Sequence, residues 1–334
     1  MNRKEFNQEL QRRVQEQLGE GYNVSLTKSL KENDVNMPVI SIEGGNKNRA
    51  QMYDYENYFQ HYEEGMLLEE IVNMVIQKYK KQRIELPFDV KVFADYERVK
   101  RNIFPRLINP KFSKKYLADK VYREWLDLGV SYYFSFDLAD NLGEYGCNSR
   151  GKIEGRVAIL KGHIEAWEIS EEELHKQAME NQQRVLSPNV QDMYDVILQN
   201  TIELIEEREG VLSSGRLTSE QLNFIVATLY LSQYTRGQSF MLNNPEYYNY
   251  GAVQMYASNA IAEFAELVEG NVIIIPSSID EVLLMKENES SPIEEVAKTV
   301  REVNETKVEP RMWLSNSVYR YNYKKKKIEV AYQG

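Results

Sequence analysis

From Leu126 to Asp137 the chain alternates apolar and polar residues without a break. Leu126, Leu128, Val130, Tyr132, Phe134 and Phe136 fall on one side, and Asp127, Gly129, Ser131, Tyr133, Ser135 and Asp137 on the other. A period of two sends successive side chains to opposite faces of extended backbone, so the segment reads as a half-buried strand with one apolar face. Such a strand needs a neighbour and a cover for its apolar side. The neighbour is written at Lys152–Leu160, where Ile153, Val157 and Ile159 share a face. The polar loop between the two holds Cys147 and implies an antiparallel pair.

Helical periods surround this pair. Phe6, Leu10, Val14 and Leu18 recur every four residues and predict a helix over 4–18. Leu67, Leu68, Ile71, Val72, Val75 and Tyr79 predict another over 66–80. Short strands are expected at Asn23–Leu26 and Pro38–Ile42, whereas the Tyr-rich stretch 51–63 has no clear period. Ser170 with Glu173 is a capping box, with Ile169 placed to staple onto Leu174, and Thr218 with Gln221 repeats the device. Ser187-Pro188 reads as the N-cap and first-turn proline of a helix to about Glu207. Further on, a strand is expected at Gln238–Leu242, a long helix over Gly251–Val268, and strands at Asn271–Ile275 and Glu281–Met285. Ser291-Pro292 opens a helix to about Glu305, and Ser317–Tyr332 reads as a hairpin around Lys324–Lys327. Hairpins mixed with helices, without regular βαβ units, give an α+β class with largely antiparallel sheets. At roughly 150 residues per domain, 334 residues make about two subdomains, divided near the prolines as 1–112 and 113–334.

Composition narrows the chemistry. One Cys excludes a disulfide framework or a zinc site built on Cys pairs, and three His leave little for a His-rich metal centre. No cofactor is implied: neither a dinucleotide fingerprint nor a P-loop occurs, nor do GxSxG or HExxH. No run approaches the roughly 18 apolar residues of a membrane span, and the charged N-terminus has no secretory apolar region. The expected compartment is therefore the cytoplasm. With 41 basic residues against 51 acidic ones the net charge is −10, which argues against general nucleic-acid binding.

Four groups of residues carry possible chemistry. The turn Pro276-Ser277-Ser278-Ile279-Asp280-Glu281 gathers two hydroxyls and two carboxylates at a strand tip. Ser277 or Ser278 as nucleophile and Asp280 or Glu281 as acid or base would make it catalytic, whereas self-satisfied turn chemistry would make it structural, and the latter is favoured. His163, Glu165 and His175 could converge on a metal, but nothing in their spacing enforces it, and His175 reads more simply as a surface residue. Tyr53, Tyr55, Tyr58 and Tyr62, then Tyr247, Tyr248 and Tyr250, offer large rings with polar tips that suit a contact surface or semi-buried packing. Lys78, Lys80, Lys81 and Arg83 form one basic patch and Lys324–Lys327 another, read respectively as a helix C-terminus and a protected hairpin edge.

One set of motifs resembles a known family. Met241-Leu242-Asn243-Asn244, Tyr250-Gly251-Ala252 and Ile274-Ile275-Pro276-Ser277-Ser278-Ile279-Asp280-Glu281-Val282 occur in that order. Leu107-Ile108-Asn109, the Leu126–Phe136 strand, Trp167 to Ala178 with Asn181, Glu302-Val303-Asn304, Leu314-Ser315 and Val318-Tyr319 extend the pattern over nearly the whole chain. Together they resemble domain-of-unknown-function family 5688, which implies an origin in clostridial bacteria and no activity, cofactor or substrate. The family's turn has a His where this chain has Asp280, which lowers a catalytic reading of that turn. The sequence thus favours a cytoplasmic binding or regulatory module with a protein or small-molecule partner. An enzyme using the Pro276–Glu281 turn and a mobile-element protein contacting nucleic acid are the alternatives.

Overall fold

The computed structural model describes residues 1–44, 50–54, 56–81, 93–135, 156–209, 227–228, 230, 236–244, 249–288 and 292–334. Helix α1 (Arg3–Leu18) opens on a capping box, in which Asn2 and Glu5 each accept the other's main-chain N–H at 3.0 Å. Its apolar stripe, Phe6, Leu10 and Val14, is buried. Strands β1 (Tyr22–Leu30), β2 (Asn36–Gly44) and β3 (Ala50–Asp54) follow as an antiparallel sheet in that order. The unassigned Tyr-rich stretch becomes β3 and helix α2 (Glu56–Glu63), and helix α3 (Leu68–Lys81) completes the layer. Phe6, Leu10, Val24, Ile40, Ile71 and Val75 form the centre of this first core.

A second core begins at helix α4 (Tyr96–Val99). Strands β4 (Ile103–Ile108), β5 (Tyr122–Trp125), β6 (Leu128–Ser135) and β7 (Arg156–Ala158) form an antiparallel sheet around β6. β4 runs along one edge of β6, while β5 and β7 share the other. The alternating segment is corrected in two ways. Leu126 and Asp127 form the hairpin tip rather than the strand, with Leu126 at φ 54° and exposed. Every residue of β6 is buried, on both faces, because the side carrying Ser131 and Tyr133 is covered by other polar and aromatic groups. The strand Ile103–Ile108 precedes position 112 and pairs with β6 beyond it, so residues on either side of 112 share this sheet.

Helix α5 (Lys161–Ala166) leads to helix α6 (Glu171–Val185), where Ser170 Oγ accepts the Glu173 N–H at 3.1 Å as its cap. The helix expected from Ser187 starts later. Asn189–Asp192 is strand β8, paired with β9, and helix α7 (Met193–Glu209) begins after Asp192 Oδ1 accepts the Tyr194 N–H at 2.9 Å. Strand β9 (Ser239–Asn243) is followed by a 3-10 turn at Gly251–Val253. The long helix expected here is broken into α8 (Gln254–Ala257) and α9 (Ala260–Leu267). At the break Ser258 is extended, and its hydroxyl donates to the Gln254 carbonyl at 2.7 Å.

The remaining elements are β10 (Val272–Ile275), β11 (Val282–Lys286), α10 (Ile293–Thr306), β12 (Val318–Asn322) and β13 (Lys327–Tyr332). They complete an antiparallel sheet in the order β13–β12–β10–β11–β9–β8. One core spans both larger sheets, with Ile103, Val130 and Phe134 joined to Leu242, Phe264, Ile274 and Tyr319. The architecture is α+β, built on antiparallel sheets. Cys147, Gly210, Thr218, Gln221 and Ser291 lie outside the described residues.

Candidate functional site

The turn between β10 and β11 is largely tied to itself. Ser277 Oγ donates to Glu281 Oε1 at 3.2 Å, and Ser278 Oγ accepts the Asp280 N–H at 3.0 Å. Ser278 N–H reaches the Glu281 carbonyl at 3.2 Å. Both hydroxyls therefore serve turn geometry. Burial pushes the Glu281 carboxyl up, reinforced by the nearby Asp280 charge and opposed by the Ser277 bond.

Asp280 points elsewhere. Its Oδ1 accepts the main-chain N–H of Tyr250 at 2.6 Å. Burial raises this carboxyl, partly offset by that hydrogen bond and by the charges of Arg156 and Arg311. Tyr250 stands in the left-handed region at φ 58°, an uncommon place for a residue with a ring. The next residue must be glycine: a Cβ on Gly251 would lie 2.4 Å from the Asp280 carbonyl oxygen and 2.6 Å from Asn244 N. Two segments read separately from the sequence, Tyr250 and Asp280, are thus one unit.

The Tyr250 hydroxyl is held by a residue the sequence did not single out. Arg106, on β4, is buried and directs each nitrogen of its guanidinium to a partner. Nε donates to Ser131 Oγ at 3.2 Å, Nη2 to the Tyr116 hydroxyl at 2.6 Å, and Nη1 to both the Tyr250 hydroxyl at 2.9 Å and Glu32 Oε1 at 2.5 Å. The Tyr116 and Tyr250 rings lie 5.5 and 4.9 Å from the guanidinium carbon. Tyr116 also donates to Glu32 Oε1 at 3.2 Å. Burial opposes charge on Glu32, yet the Arg106 charge and the hydrogen bonds outweigh it and hold the carboxyl below its ordinary range. Burial pushes the Tyr116 hydroxyl up to about 12 despite the Arg106 charge beside it. The Arg156 guanidinium also lies 5.3 Å from the Tyr250 ring centroid and 5.9 Å from that of Tyr133. The available signal was Arg106 itself, a charge in the apolar run Ile103–Ile108, opposite Ser131 in register.

Amides fix the surrounding backbone. Gln254 Nε2 donates to Asn244 Oδ1 at 2.7 Å and to the Leu186 carbonyl at 2.8 Å, and Asn189 donates to Asn243 Oδ1 at 3.1 Å. Asn243, Asn244 and Gln254 are all buried. Their pairing follows from the cost of leaving a buried amide unbonded.

Other candidate residues are dispersed. Tyr58 is buried in the first core, and the half-buried Tyr62 packs on Phe6 at 5.2 Å while its hydroxyl accepts from the N-terminal amine at 3.2 Å. Tyr53 lies in β3; Tyr55, Tyr247 and Tyr248 lie outside the described residues. His163 accepts the Leu160 N–H at 3.1 Å and stacks on Trp167, while Glu165 is exposed. His175 is half-buried, with its ring nitrogens 3.0 Å from the Tyr132 hydroxyl and 3.3 Å from the Tyr256 hydroxyl. Burial lowers both histidines. Among the described residues no group of three or more His, Cys, Asp or Glu is arranged to hold a metal ion. Of the basic patches, Lys78 and Lys80 are on α3, whereas Lys325 and Lys326 on the far hairpin pair with Glu329 and Glu266. Arg83 lies outside the described residues. No helix among them is long and apolar enough to cross a membrane.

The sequence model of a family of unknown function, DUF5688, matches residues 3–323. No curated protein and no solved structure matches the chain.

Proposed function

The chain belongs to the family of unknown function DUF5688, and from that premise we propose that it acts by binding rather than by catalysis, with Tyr250 and Asp280 at its recognition site. The observation that carries this reading is the conformation of Tyr250. It is left-handed, yet fixed at its N–H by Asp280 and at its hydroxyl by Arg106. A strained residue persists only where its surroundings over-determine it, and such residues gather at ligand clamps and switches. A catalytic reading of the turn has less support, since the hydroxyls of Ser277 and Ser278 are engaged with Glu281 and the Asp280 N–H. The proposed setting is a bacterial cytoplasm, in keeping with a chain that has one Cys.

The test is capture from a native host on the tagged full chain, with proteins and metabolites read by mass spectrometry. A species retained by the wild type and lost with Tyr250→Ala supports the reading. Turnover of substrates in a hydrolase and transferase panel, abolished by Ser277→Ala or Glu281→Gln, would overturn it in favour of an enzyme.

A further inference from the structure

The Arg106 cluster is completed from outside its own core. Its carboxylate belongs to Glu32, at the tip of the β1–β2 hairpin, and that hairpin is rooted in the first core. The two apolar cores share no residue. What joins them at this point is polar. Asn33 Nδ2 donates to the Pro310 and Trp313 carbonyls at 2.7 and 2.8 Å, and its N–H donates to Ser113 Oγ at 2.9 Å. Asp34 accepts the N–H groups of Lys115 and Tyr116 at 3.0 and 2.8 Å. Asn33 and Asp34 are both left-handed, at φ 60° and 53°. A polar contact between units exchanges with water more readily than an apolar one, and relative motion is the default for such joints.

Without Glu32, the remaining groups form a cradle for an anion. A planar guanidinium suits a carboxylate, and a tyrosine hydroxyl adds a third donor direction. When the tip withdraws, Ser131 and β4 still hold Arg106, and Tyr116, which loses the Asp34 bond to its N–H, is still packed against Ile108 of β4 and Leu117. The site is small and enclosed, with the Arg106 side chain 4% exposed and that of Glu32 16% exposed. It fits one carboxylate group and little more.

We propose that Arg106, Tyr116 and Tyr250 form a receptor for a small monocarboxylate, filled in cis by Glu32 until the hairpin tip withdraws. The tip is then an internal competitor that keeps the receptor closed at low ligand concentration. This inference rests on the reading of Tyr250 as part of a recognition site and names the ligand class for it.

The test uses the full chain and acetate as the probe, with chloride at equal ionic strength as the reference. Thermal unfolding of Glu32→Ala is expected to shift up by roughly 2–4 °C in acetate, since a ligand bound to the native state alone stabilises it. The wild type should not shift at the same concentration. Asn33→Ala, which leaves Glu32 and Arg106 intact but loosens the tip, should show a smaller rise. Equal melting of Glu32→Ala in both salts would overturn the proposal, as would an equal acetate response in the double variant Glu32→Ala with Arg106→Gln. If Glu32→Ala does not fold in either salt, Asn33→Ala decides: a rise specific to acetate supports the receptor and no rise rejects it. Failure here leaves a Tyr250-dependent capture from the host untouched, so the two readings fail separately.

Discussion

The Asp280 carboxylate caps the main-chain N–H of Tyr250 at 2.6 Å, across thirty residues of chain. That bond lets a ringed residue occupy a left-handed conformation at the centre of the site. Asp280→Ala should cost about 1.5–3 kcal/mol, the range for losing a hydrogen bond to a charged group. Asp280→Asn retains an acceptor oxygen and should cost about 1 kcal/mol. Urea denaturation at neutral pH distinguishes them; equal stability of Asp280→Ala and wild type would remove the cap from the account.

Gly251 is fixed by space rather than by a positive φ. Its missing side chain is replaced by main-chain atoms of Asp280 and Asn244 within 2.6 Å of where a Cβ would stand. Gly251→Ala should therefore destabilise by about 3 kcal/mol, the upper end of overpacking, because backbone cannot give way as a flexible side chain can. Gly162, in α5, provides the contrast, since nothing lies within 4 Å of its Cβ position. Gly162→Ala should be neutral or stabilise by about 0.5–1 kcal/mol. The same denaturation series reads both, and similar values for the two would contradict the steric argument.

Asp127 shows why the alternating segment was only partly legible. Its carboxylate accepts from Ser315 at 3.1 Å, Ser317 at 2.8 Å and Tyr319 at 2.7 Å, tying the β5–β6 tip to β12. Burial and the Asp127 charge both push the Tyr319 hydroxyl upward, so it stays a donor. Asp127→Ala strands three buried donors and should cost about 3–5 kcal/mol. Tyr319→Phe removes one of the three bonds and should cost about 1–2 kcal/mol. A double-mutant cycle should give a positive coupling between them; additive effects would mean that the bond carries no energy of its own.

Local patterns were legible wherever one residue's neighbours decide its state. The periods of α1 and α3, the Ser170 cap and the terminal hairpin follow from residues within a few positions of each other. Ser187-Pro188 misleads because pairing of Asn189–Asp192 with β9, about fifty residues away, outweighs a plausible helix start. The period running through Gly251–Val268 hides a break at Ser258, whose side chain takes over a main-chain bond. At the site, Tyr250 and Asp280 were visible as residue types, but Tyr250 meets Arg106 across 144 positions and Arg106 meets Glu32 across 74. A polar face made of Ser131, Tyr133 and Ser135 looks solvated until that cover is known.

Acid sensitivity should come first from histidine. Burial lowers His175 from its ordinary value of 6.5, assisted by the Arg123 charge and opposed by Glu172. Burial lowers His163 in the same direction. A base with a depressed folded pKa is protonated first in the unfolded chain, so stability falls as pH drops below about 6.5 toward the folded value. Glu32 adds a second loss at lower pH. Its carboxyl is held below the ordinary 4.5, so that contribution is present above 4.5 and disappears as pH falls through the folded value. His175→Gln keeps a polar side chain between Tyr132 and Tyr256 but cannot titrate. Urea denaturation at pH 7.5, 6.5 and 5.5 should show a shallower decline for His175→Gln than for wild type. An unchanged slope would assign the acid sensitivity to other groups. Glu32→Gln should leave that upper window intact and flatten the decline below pH 4.5, which separates the histidine contribution from that of the hairpin tip.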